Sequence, residues 1–209
     1  MKRVGSITLG VALFLLVSTG CGKEGSPHGA EALKTACGDI IDSRTINEAR
    51  KSADFDDLHV ASSSVSHASA AKTLLSQDHA AYTCRISRSD SPESRSDALW
   101  VKFTPGLNRL FPEEQDQSYT SYRAYKLGNG MQATMEAGSA DVYFMCQAQN
   151  GDPDLSVTGS FYTTLELSTE SRFRTLFSSS RKMVQLLKCE NEIEFPDPAK
   201  MKYLPLKKN

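Results

Sequence analysis

The chain has 209 residues, with 24 lysines and arginines against 25 aspartates and glutamates, for a net charge of −1. Without a basic excess there is nothing to neutralise a phosphate backbone, so nucleic acid is a disfavoured partner. Apolar residues make up 39 % of the chain, enough for an ordinary core, and the length suits one domain better than two.

The N-terminal segment carries the clearest signal. Lys2 and Arg3 precede an apolar run from Val4 to Val17, and Ser18, Thr19, Gly20 and Cys21 follow. A basic start, an apolar stretch and small residues at its end describe a secretory signal. The run is too short for a bilayer-crossing helix, which needs roughly 20 residues. A cysteine placed directly after the small residues resembles the processing site of bacterial lipoproteins. That resemblance implies that Cys21 is acylated and becomes the mature N-terminus; a plain secretory signal cleaved near Gly20 is the other reading. The expected divisions are a signal over 1–20, the lipidated cysteine and a tether over 21–30, one domain over 31–195 and a Pro/Lys tail over 196–209. Loss of Lys2 and Arg3 leaves 22 basic against 25 acidic residues, a net of −3.

With Cys21 on lipid, Cys37, Cys84, Cys146 and Cys189 remain. An even count in an exported chain argues for two disulfides, with three connectivities possible. The positions are too far apart for a zinc site, which favours close cysteine pairs. The preferred pairing is Cys37–Cys84 with Cys146–Cys189, because each bridge would then tie a helix to a strand.

Along the chain, Leu33, Cys37, Ile40 and Ile41 share one face of a helix over 31–42. Thr45 with Glu48 has capping-box spacing and predicts a second short helix to about Ala53. Phe55, Leu58 and Val60 suggest a short strand, and Ala70, Ala71, Leu74 and Leu75 suggest one or two helical turns. From Ala81 the period changes to two. Tyr82, Cys84 and Ile86 alternate with polar residues, as do Leu99, Val101 and Phe103, which puts Trp100 on the opposite face. Residues 104–121 form a long acidic connection, the kind of loop that is more often functional or mobile than a short one. A hairpin follows, turning at Gly128-Asn129-Gly130. Two further strands carry Val142, Phe144 and Cys146, then Leu155, Val157 and Phe161, with a turn at Asn150-Gly-Asp-Pro153 between them. A long helix capped near Ser168 or Thr169 presents Phe173, Leu176, Phe177, Met183, Val184 and Leu187, and ends at Cys189. Pro196, Pro198 and Pro205 keep the tail from being helical throughout. The cysteine strand followed by an L-x-V strand occurs twice, a faint echo of two related hairpins.

Candidate chemistry is sparse. Ser69–Lys72 and Ser179–Lys182 have the S-x-x-K spacing of penicillin-binding enzymes, but no K-T-G or S-D-N accompanies them. His28, His59, His67 and His79 lack the spacing of a zinc-binding helix, and no G-x-S-x-G places a nucleophile. Asn150, Asp152 and Asp154 lack the glycine and closing glutamate of an EF-hand, and suit a turn. No cofactor or metal is expected. Tyr119, Tyr122 and Tyr125 would make a binding surface if exposed, since tyrosine combines area with a hydroxyl; otherwise they begin a strand with rings in the core. The tail lysines Lys200, Lys202, Lys207 and Lys208 read first as part of a frayed soluble tail; the other reading is that each adds about 1 kcal/mol of attraction to an anionic membrane.

The signal ending Val17-Ser-Thr-Gly-Cys21, the polar tether and a four-cysteine domain resemble the small exported lipoproteins of actinobacteria. The resemblance implies an envelope location and carries over no active-site residue. The expectation is an α+β domain with an antiparallel sheet of five to seven strands, packed by N- and C-terminal helices and fastened by two disulfides. Its expected role is non-catalytic binding of an envelope protein or small ligand, from a membrane held through the N-terminal lipid. The alternative is an envelope hydrolase with catalytic residues scattered along the chain.

Overall fold

The computed structural model describes residues 26–76, 79–88, 96–106, 122–147 and 154–204. Its strands are β1 (His59–Val60), β2 (Ala81–Ser87), β3 (Asp97–Pro105), β4 (Tyr122–Gly128), β5 (Met131–Glu136), β6 (Ser139–Cys146) and β7 (Leu155–Thr163). They form one antiparallel sheet in the order β1-β2-β3-β7-β6-β5-β4. The helices are α1 (Gly29–Cys37), α2 (Ser43–Ala49), α3 (His67–Leu75) and α4 (Thr169–Leu187). The domain is α+β.

Period-two patterning decides which side of the sheet is covered. Leu99, Val101 and Phe103 of β3, Val157 and Phe161 of β7, and Val142 and Phe144 of β6 are buried on one face. Leu33 of α1, Leu74 of α3, and Phe173, Leu176, Phe177 and Met183 of α4 pack onto them. Each such side chain contributes roughly 1.5–3 kcal/mol through the area it removes from water. Close approach of α4 depends on Gly159. A Cβ there would lie 3.0 Å from the Phe103 ring and 3.2 Å from both Ser180 Oγ and Val142 Cγ1. Among the described elements, no helix packs on the opposite face.

The two hairpins β2–β3 and β6–β7 meet at the β3/β7 seam, where Val101 faces Phe161. Cys37 at the end of α1 bonds Cys84 of β2, and Cys146 of β6 bonds Cys189. This is the preferred pairing, and the arrangement follows the echo of two cysteine hairpins. In the chain-entropy model loops of this length contribute about 4 kcal/mol each. The β4–β5 turn forms where expected: Asn129 and Gly130 have φ of 48° and 73°, the left-handed pair a two-residue hairpin loop requires.

Several boundaries differ from expectation. The capping box at Thr45 does not form. Asp42 is the cap instead, its Oδ1 accepting the Thr45 N–H at 2.7 Å, while the Thr45 side chain is buried. Helix α4 stops at Leu187, because Lys188 turns left-handed before Cys189 is reached. The folded part begins earlier than residue 31. His28 bridges to His59 on the β1 edge, their rings 4.2 Å apart, and α1 starts at Gly29.

The tail is also more structured than a frayed end. Phe195 is buried between Phe144 and Phe177. Pro198–Lys200 make a 3₁₀ turn, and Tyr203 bridges to Tyr125 while Leu204 N–H donates to Ala124 O at 2.7 Å. The N-terminal and C-terminal segments therefore each pair with an outer strand, which limits unpaired edge backbone. No helix among the described residues is long and apolar enough to cross a membrane.

Candidate functional site

The face of the sheet opposite the described helices gathers aromatic and charged side chains in an ordered array. Trp100 of β3 stands opposite Tyr162 of β7. Their rings stack at 5.5 Å with an interplanar angle of 20°, and Tyr82 of β2 meets Trp100 edge-on at 5.8 Å. Lys102 places its Nζ 5.1 Å from the Trp100 ring and 6.0 Å from Tyr82, within cation–π range. The Arg85 guanidinium lies 5.1 Å over Tyr82. It is held by Asp97 through Nε–Oδ1 at 2.8 Å and Nη2–Oδ2 at 3.1 Å.

Strand register then sets a polar row beside the rings. Tyr82, Lys102, Ser160, Asp141 and Thr134 face one another in turn across β2, β3, β7, β6 and β5. Burial pushes the Asp141 carboxyl above the usual range. Hydrogen bonds from Ser160 and Thr134 and the positive charge of Lys102 oppose that rise. The row thus offers an ammonium donor, hydroxyls and a carboxylate acceptor at the sheet spacing of about 4.8 Å. Placing Trp100 on the open face follows from alternation, but its convergence with Tyr82, Tyr162 and Asp141 requires the strand order and register, which no local pattern encodes.

A second cluster lies under the helices. His67 Nε2 is 2.7 Å from Ser179 Oγ, and Thr83 Oγ1 is 3.5 Å from the same hydroxyl. Burial, then the charge of Lys182, lowers the His67 pKa to about 4, with Asp39 opposing, so the imidazole is neutral at pH 7. Asp39, paired with Lys182, is held below the usual carboxylate range by that bond. Both groups line a groove of about 550 Å³ with Ser64, Val65, His67 and Thr83. The S-x-x-K pair is thereby split: Ser179 turns to His67, and Lys182 turns to Asp39. Ser179 is fully buried, so its hydroxyl is closed to a substrate. In the other S-x-x-K pair, Ser69 and Lys72 are both exposed on α3.

The remaining expectations fall as follows. Tyr125 is buried against Phe173 at 5.2 Å, and burial raises its hydroxyl pKa, so it serves the core. Tyr122 begins β4. Cys21, Tyr119, Asn150 and Asp152 lie outside the described residues, as do Lys207 and Lys208. Among the described residues no group of three histidine, cysteine or acidic side chains is placed to hold a metal ion. Compared with known proteins, the chain matches no family model, no curated protein and no solved structure.

Proposed function

We propose that the chain is an extracytoplasmic lipoprotein, held at the membrane by lipid on Cys21, that acts without catalysis as a binding or accessory protein of the cell envelope. The observation that carries the binding role is the Tyr82–Trp100–Tyr162 cluster with Lys102. Three rings on a face over which no described helix packs add little to the core, yet they are the residue types that dominate binding energy at interfaces. The anchor reading rests on the signal ending at Cys21. Only six residues lie between Cys21 and His28, so the seven Cα–Cα steps joining them reach about 25 Å when extended, and the domain would work close to the membrane.

Fractionation of envelopes tests the anchor. Wild-type protein should partition with membranes and Cys21→Ala with the soluble extracytoplasmic fraction; membrane retention of the variant would overturn the lipid reading. The second reading, an envelope hydrolase, is favoured by the 2.7 Å contact of His67 with Ser179. It requires the buried hydroxyl to become accessible, and hydrolysis of envelope material that is lost in Ser179→Ala would establish it.

A further inference from the structure

We infer that the Tyr82–Trp100–Tyr162 face takes a carbohydrate chain, a step that rests on the binding role proposed above. A pyranose ring has an apolar face of C–H groups and a rim of hydroxyls. Its binding site therefore needs aromatic surface immediately beside fixed donors and acceptors. Here the rings come from three neighbouring strands and extend along roughly 10 Å, longer than one sugar. The adjoining row supplies the Lys102 ammonium, the Ser160 hydroxyl and the Asp141 carboxyl, which match the alternating donors and acceptors of neighbouring sugar hydroxyls.

Charge and topology on the same face set this occupant apart from others. Arg85 is neutralised by Asp97, and Lys102 lies within the electrostatic reach of Asp141. The face is thus balanced, which suits a polyhydroxylated ligand better than a polyanion. A peptide adding as a strand would need an open sheet edge, and His28 and Tyr203 already pair with β1 and β4. A lipid tail would have to desolvate Lys102 and Asp141 without satisfying them.

Trp100 is the single tryptophan, so intrinsic fluorescence reports this face directly. The lipidated full-length protein in detergent micelles would be titrated with tetrasaccharides of glucose, mannose and N-acetylglucosamine up to about 10 mM. The expected result is a saturable fluorescence change for at least one of them, weakened about ten-fold or more in Asp141→Asn and in Ser160→Ala, with thermal melting of both variants near wild type. No saturable change with any sugar, or a change indifferent to both substitutions, would overturn the carbohydrate inference. Cross-linking in native envelopes separates that failure from failure of the binding role. A discrete protein captured by wild type and lost in Tyr162→Ala would overturn the carbohydrate inference and keep the face as a binding site. Absence of both sugar response and capture would overturn both readings.

Discussion

The Nε2 of His67 lies 2.7 Å from the Oγ of Ser179, joining the first turn of α3 to the buried side of α4. The contact is a polar pin between two helices, with Thr83 beside it, and it makes the domain sensitive to acid.

Because the folded imidazole titrates near 4 and the ordinary value is 6.5, the unfolded chain takes up the proton first as pH falls. The contribution is therefore complete above pH 6.5 and is lost between about 6.5 and 4. With allowance for partial exposure it amounts to about 2 kcal/mol. Lys182 and Asp39 face the ring, and Asp39 loses its own pairing only at lower pH. Urea midpoints measured from pH 4 to 8 should fall on acidification in wild type and fall less in His67→Phe. Parallel profiles for the two would refute the pin.

The disulfides make a sharper prediction. Thiol labelling of the native domain should find Cys37, Cys84, Cys146 and Cys189 unreactive. Replacing one bridge, as in Cys37→Ser with Cys84→Ser, should cost about 4 kcal/mol, read as a lower denaturant midpoint. Four labelled thiols in the folded protein would rule the scheme out.

Gly159 tests the seating of α4 on the sheet. Its missing side chain faces Phe103, Val142 and Ser180, all three fully buried. Gly159→Ala should therefore destabilise by about 1–3 kcal/mol through overpacking, and Gly159→Val by more. Unchanged melting of Gly159→Ala would mean that the helix is free to shift outward.

How much of this could be read along the chain depends on the range of the interaction. The alternation at Leu99, Val101 and Phe103 is local and places its strand and faces without further information. The 3.6-residue spacing from Phe173 to Leu187 does the same for α4. The disulfides were accessible because each bridge joins elements that the patterns already define. What failed was short-range competition and long-range register. Asp42 takes the cap because its carboxylate reaches the Thr45 N–H, while Thr45 is drawn into the core. Phe195 and Tyr203 escape a reading based on prolines, because the strand residues they meet, Phe144 and Tyr125, are more than 50 residues away. Tyr82, Trp100, Tyr162 and Asp141 converge only once β7 is inserted between β3 and β6.

Ser168 joins two elements at one position, which makes its removal more costly than loss of an ordinary cap. Its Oγ accepts the Ser171 N–H at 3.2 Å to start α4 and donates to Glu48 Oε2 at 2.8 Å. The Ser168 N–H donates to the same carboxylate oxygen at 3.0 Å. Burial alone would raise the Glu48 pKa, but the bonds from Ser168, with the charge of Arg44, hold it below the usual value. A carboxylate lowered in the folded state stabilises above its unfolded pKa and loses that contribution as pH falls through the folded one. Ser168→Ala removes both the cap and one of the carboxylate's donors, so at pH 7 it should cost about 1–2 kcal/mol. It should also raise the Glu48 pKa, followed by NMR titration of the side-chain carboxyl. Asp42 caps α2 independently, and its replacement by alanine should cost a cap of similar size while leaving Glu48 where it was. A Glu48 titration that is identical in wild type and Ser168→Ala would show that the α2–α4 junction is held by Arg44 and Glu170 instead.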